Sequence, residues 1–223
     1  MSTAGRREAR AAVREARSGA GPVGAGFDPG PHPGATAKFG LFGEVLTIGL
    51  LIAVVSLGVV TLPIALAAGI RHLRRFVAAS DSRVALFWDD VRAGILPSLL
   101  VGVPAALIAA VLAFDVLLAG SGMLPGGEVV AVIGWAGLVV LATALLLAAG
   151  AWSPASGWAA AVRAVPGVVR ADAVGAAFIA AAAVFVGVVT WALIPLFIPG
   201  VGCAVLAVVA VPARRRRGEA RAE

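Results

Sequence analysis

Along most of this chain apolar positions run together instead of alternating with polar ones. Four charge-free stretches stand out: Val45–Ile70, Ala93–Phe114, Val129–Val162 and Ala173–Ala213. A helix crosses the hydrocarbon core of a bilayer with about 20 apolar residues, so each stretch is long enough for a crossing. The first two stretches hold one span each. The third holds one, ending before the Ser-Pro break in "AWSPASGW". The fourth exceeds one span and divides at "LIPLFIPG", where Pro195, Pro199 and Gly200 can turn the chain. The pattern therefore predicts an all-α polytopic membrane bundle of five transmembrane helices, at about 43–63, 94–115, 129–151, 173–193 and 195–212. Together with its connectors, this membrane domain covers 38–213.

The polar remainder falls into tails and connectors. Residues 1–37 are rich in Gly, Pro, Ala and Arg and read as a disordered tail, and 214–223 read as a basic C-terminal tail. Between the first two spans, Leu66, Ile70, Leu73 and Val77 share one helical face, with Arg71, Arg74 and Arg75 elsewhere on the surface. Ser80-Asp81-Ser82 offers a stop and a fresh N-cap. Val84, Phe87, Trp88 and Val91 then form a second apolar face, with Asp89, Asp90 and Arg92 turned away. These are expected to be amphipathic connectors at the membrane surface. Arg71, Arg74, Arg75, Phe87, Trp88 and Arg92 are the candidates either for anchoring to lipid or for docking a partner. Pro63 is read as loosening the helix where the first span leaves the bilayer.

Composition changes the picture mainly through where the charges lie. Hydrophobic residues make up 61% of the 223, and charged residues only 13%, about half the share of a soluble domain. The net charge of +6 would suggest nucleic acid if its carriers were dispersed. Instead all 18 Lys and Arg lie at the two ends of the chain or in 71–92 and 152–172, the pattern of cytoplasmic loops facing anionic headgroups. Nucleic acid is not the expected partner. The connectors 119–128 and 194–200 carry no basic residue, which places the Arg-bearing loops and the C-terminus in the cytoplasm. Seventeen Arg against one Lys, in a chain dominated by Ala, Gly and Val, point to a GC-rich bacterium and so to the bacterial inner membrane. One conflict is built in: five spans put the N-terminus outside, although its tail is basic. A first segment that dips and returns would remove it.

Candidate chemistry is sparse. The chain contains no H-E-x-x-H, G-x-S-x-G or P-loop pattern, and no enzyme activity or cofactor is expected. His72 stands alone beside arginines, and His32 lies in the tail, so no metal site is expected. Glu44 reads as a solvated start to the first span. Asp115 is the candidate intramembrane polar residue, either a solvated helix end at the outer boundary or a carboxylate in a transport path. Small residues recur at four-residue spacing in Gly49/Ala53, Ala144/Ala148 and Ala183/Gly187, as close helix packing allows. "WDDVRAGILPSLLVGVPAALIAAVLAF" and "PGVVRADAVGAAFIAAAAVFVGVVTWAL" each lead from Val-Arg-Ala into a span, so 84–151 and 162–213 could be two similar hairpins in one orientation.

The apolar span ending in "VVTLPIALAAGI", the basic helix "RHLRRF" and the aromatic helix "ALFWDDVRAG" resemble the YesL-like family of bacterial integral membrane proteins. The resemblance covers about Gly40 to Gly102 and is loose in the later spans. Genes of that family often neighbour carbohydrate uptake systems of the ATP-binding-cassette (ABC) type. It therefore implies a non-enzymatic accessory protein with ABC transporter subunits as partners. The alternative from the residues themselves is a small secondary transporter or channel using proline-broken helices and Asp115.

Overall fold

The computed structural model describes residues 38–122 and 125–222, with side chains described from Phe39 to Pro212. The tail expected over 1–37 lies outside the described residues. Seven helices follow in order: α1 (Lys38–Val55), α2 (Leu62–Val77), α3 (Val84–Gly120), α4 (Gly127–Ala151), α5 (Gly157–Ala171), α6 (Ala173–Ala192) and α7 (Phe197–Ala222). One-turn 3-10 segments occupy Ser56–Gly58 and Ile194–Leu196. Five segments are long and apolar enough to cross a membrane: Phe39–Gly58, Val84–Gly120, Gly127–Ala151, Ala173–Ala192 and Ile194–Pro212. A backbone in hydrocarbon must satisfy its own hydrogen bonds, which is why such runs become helices.

The first charge-free run is where structure and expectation part. The span does not continue to residue 63. It ends in the 3-10 turn, and the chain reverses through 56–61. Val59 sits at φ 40°, the Val60 N–H donates to the Gly58 carbonyl, and the Thr61 hydroxyl donates to the Val55 carbonyl. Pro63 falls in the first turn of α2, where its missing N–H costs nothing. It opens a second helix and does not bend the first. α2 then returns antiparallel to α1: Gly69 faces Ile48 and Ile52, and His72 meets Glu44. No charge interrupts Val45–Ile70, so the hydropathy pattern could not mark this turn.

The same contacts order the remaining helices. Gly94 of α3 lies against Ile64, and Gly102 lies against the Val60 carbonyl, so α3 runs antiparallel to α2. Gly127 against Ala119 and Gly134 against Val116 pair α3 with α4. Gly175 against Val211 and Gly200 against Val186 pair α6 with α7. Gly49 meets the Ile198 carbonyl while Gly202 meets the Val45 carbonyl, which sets α1 antiparallel to α7. The chain thus passes between the two ends of the bundle six times, through α1, α2, α3, α4, α6 and α7. The return of α2 puts the start of α1 and the end of α7 at the same end of the bundle, while the five expected spans stand, because α2 is not among the helices long and apolar enough to cross a membrane. The hairpins α3–α4 and α6–α7 both set out from that end, as the internal echo anticipated. α7 runs unbroken through Arg214–Arg217 to Ala222.

Packing follows membrane rules. The buried stripe of α3 is Phe87, Asp90, Val91, Gly94, Ser98, Gly102 and Ala105, mostly small beyond the second turn. Its large residues point outward, with Leu96 75%, Leu100 80% and Leu117 74% exposed. Lipid is as apolar as leucine, so helices associate through close backbone approach and leave bulky side chains to the lipid. α2 is the central element: Pro63 through Ile70, His72 and Leu73 are all buried, enclosed by α1, α3, α4 and α7. Its apolar face packs into the bundle while Arg74 stays exposed. α5 is amphipathic, burying Trp158 and Ala161 and exposing Arg163 and Arg170.

Candidate functional site

The end of the bundle where the chain's described part begins and finishes also holds every described arginine. Within it, α1, α2 and α3 are cross-linked by charge. Asp90, only 5% exposed on the buried stripe of α3, receives two arginines from α2. Arg71 Nε donates to Oδ1 at 3.1 Å, and Arg75 Nη2 stands 2.8 Å from Oδ2. The second contact is an ion pair by distance but lacks hydrogen-bond alignment, since Oδ2 accepts no bond and Arg75 Nη1 makes none. Arg71 also lies over the Trp152 ring, 5.8 Å from its centroid, and Trp152 stacks on Trp158 at 5.7 Å. A cation over an aromatic face in a partly dry site is attracted by the ring quadrupole.

Next to Arg71 in α2, the wholly buried His72 places Nε2 2.5 Å from Glu44 Oε1. Its Nδ1 has no partner. A contact of this length is a strong hydrogen bond between imidazole and carboxylate. The pair joins the start of α1 to the end of α2, and so fastens the stem of the hairpin. Among the described residues no three His, Cys, Asp or Glu side chains gather as metal ligands would.

The sequence-derived candidates divide. Arg92 is exposed and stands 3.7 Å from Asp89, as a surface residue should. Arg74 is exposed and donates from Nη1 to the Gly150 carbonyl at 2.8 Å, tying α2 to the end of α4. Trp88 is half-buried. Phe87 is not an interface residue: it is fully buried beside Ala68 and Val91, edge-on to Trp88. Arg71 and Arg75 turn inward onto Asp90, and Asp90, expected to face away, is buried. Asp115 is half-buried five residues before the far end of α3, remote from the cluster. In the exposed α2–α3 loop, hydrogen bonds from Arg83 hold the Asp81 carboxyl below the usual carboxylate range.

Sequence reasoning missed Glu44, His72 and Asp90. Two signals were present. Asp90 lies three residues after Phe87 and one before Val91, on the apolar stripe. Glu44 and His72 lie just beyond the two ends of Val45–Ile70, and any hairpin in that run brings its ends together. No family model, curated protein or solved structure matches the chain.

Proposed function

We propose that this chain is a multi-pass protein of the bacterial cytoplasmic membrane, with its arginine-bearing end and C-terminus in the cytoplasm. It acts as a non-enzymatic accessory component of a membrane system. The observation that carries this reading is the gathering of the described arginines at one end in two sets. Arg71 and Arg75 lock inward on Asp90 and stiffen the end, while Arg83, Arg92, Arg163 and Arg170 stay exposed. A rigid, basic, cytoplasmic face suits anionic headgroups and an acidic partner surface. The YesL-like resemblance supplies the class of partner, subunits of a carbohydrate ABC transporter. Cross-linking in native membranes followed by purification is expected to retain a transporter subunit, and charge reversal at Arg92 and Arg163 is expected to release it. Recovery of the chain alone after cross-linking overturns the reading. Reporter fusions at both termini are expected to report the cytoplasm, and a periplasmic signal from either one overturns the orientation.

A small proton-coupled transporter is the second reading, favoured by the buried His72–Glu44 pair. Ionisable groups inside membrane bundles commonly mark proton or substrate paths. Under this reading, reconstituted flux falls in Glu44→Gln and is unchanged in Asp115→Asn.

A further inference from the structure

Where α4, α5, α6 and α7 meet, the basic end contains a slot of about 280 Å³. Its floor is Leu147, Ile179 and Val208, all at least 94% buried. Among the described residues, Arg74 and Asp172 are the charged side chains lining it, and the remaining lining is apolar apart from backbone. Asp172 opens α6 and Ile179 lies seven residues further on, so the slot reaches about 10 Å into the bundle. A space at the small end of ligand pockets holds part of one hydrocarbon chain and not a whole two-chain lipid.

Charge at the mouth selects the kind of occupant. The bond from Arg74 to the Gly150 carbonyl fixes its guanidinium at the rim. Arg170, exposed at the same end of the bundle, precedes the lining residue Ala171 in the chain. Asp172 Oδ1 accepts from the Gly175 N–H at 2.7 Å as the cap of α6, so its negative charge sits against the N-terminus of that helix. Basic pockets between membrane helices recognise anionic lipid headgroups. We propose that this slot binds one acyl chain of an anionic membrane phospholipid, with the headgroup phosphate held by Arg74 at its mouth. The second chain stays in the bilayer. This holds whatever the partner protein is, and whichever way the bundle faces.

The test is native mass spectrometry of the full chain, released from vesicles of dioleoyl phosphatidylglycerol mixed equally with dioleoyl phosphatidylcholine. One phosphatidylglycerol per chain is expected to survive activation that strips phosphatidylcholine. Arg74→Gln is expected to lower this preference about fivefold, the effect of one basic residue beside an anionic headgroup. Arg74→Lys is expected to keep most of it. Ala176→Phe, which fills the slot, is expected to abolish retention of both lipids, together with any rise in unfolding temperature that phosphatidylglycerol confers. Equal retention of the two lipids overturns the proposal, as does unchanged retention in folded Ala176→Phe. Retention that appears only after removal of residues 1–37 also overturns it, since the slot would then belong to the chain's own tail. The Arg74 and Ala176 variants are read separately, so one that fails to fold leaves the other decisive.

Discussion

Asp90→Asn removes one charge and almost no volume, and so isolates the electrostatic clamp between α2 and α3. The carboxylate is 5% exposed, with cationic nitrogens at 3.1 and 2.8 Å. At an effective dielectric near 20, each contact has a gross attraction of about 5 kcal/mol. Desolvation and the mutual repulsion of Arg71 and Arg75 cancel much of it. What the substitution exposes is two guanidinium groups, 28% and 22% exposed, with no counter-charge in place. Breaking a buried pair by removing one partner costs about 3–5 kcal/mol. The aromatic support of Arg71 by Trp152 and the residual exposure argue for the lower end, about 3 kcal/mol, roughly a hundredfold in the unfolding equilibrium. Reversible unfolding in mixed micelles, followed by helical circular dichroism, measures this directly. Replacing both arginines with Met alongside Asp90→Asn should restore much of the loss, because no charge is then stranded. A loss below about 0.5 kcal/mol for Asp90→Asn, or strict additivity across the cycle, would refute the clamp.

Three further outcomes are expected in the same assay. Gly49→Leu places a side chain on the Ile198 carbonyl and should cost about 3 kcal/mol through forced separation of α1 from α7. Gly187→Leu, at an equivalent small-residue position facing open space, should be near neutral, and equal effects would remove the close-approach argument. Val59→Gly relieves a β-branched residue at φ 40° and should stabilise by about 1 kcal/mol, so a loss would mean that the turn is not strained. Glu44→Ala leaves the buried His72 without its partner and should cost about 2 kcal/mol, whereas Glu128→Ala, exposed in the first turn of α4, should cost almost nothing.

Legibility differed along the chain for physical reasons. The later spans were readable to within a few residues, except that α3 begins ten residues earlier than expected, at Val84. Its amphipathic first turns and the span form one continuous helix. Nothing between Val84 and Ile95 breaks a helix, and a change of environment along an axis is no reason for the axis to stop. Small-residue spacing was ambiguous by itself. Gly49 lies at a backbone contact and Gly187 lies in open space, and only the neighbouring helix distinguishes them.

What the sequence determined alone is the class of solvent and the sorting of charge. An uncharged run of membrane length requires a helix in lipid wherever it occurs, and arginines cluster at the end where water and headgroups are. Those are local properties of composition. Tertiary structure decided the reversal at 56–61, the return of α2 beside α1 and the inward turn of Arg71 and Arg75. It also decided the meeting of Glu44 with His72 across 28 positions in the chain. A turn inside an uncharged run has no hydropathy signature, and a polar group three residues from a core aromatic can face either way until a partner stands opposite. For Asp90 that partner is α2, which the hairpin brings back beside α3.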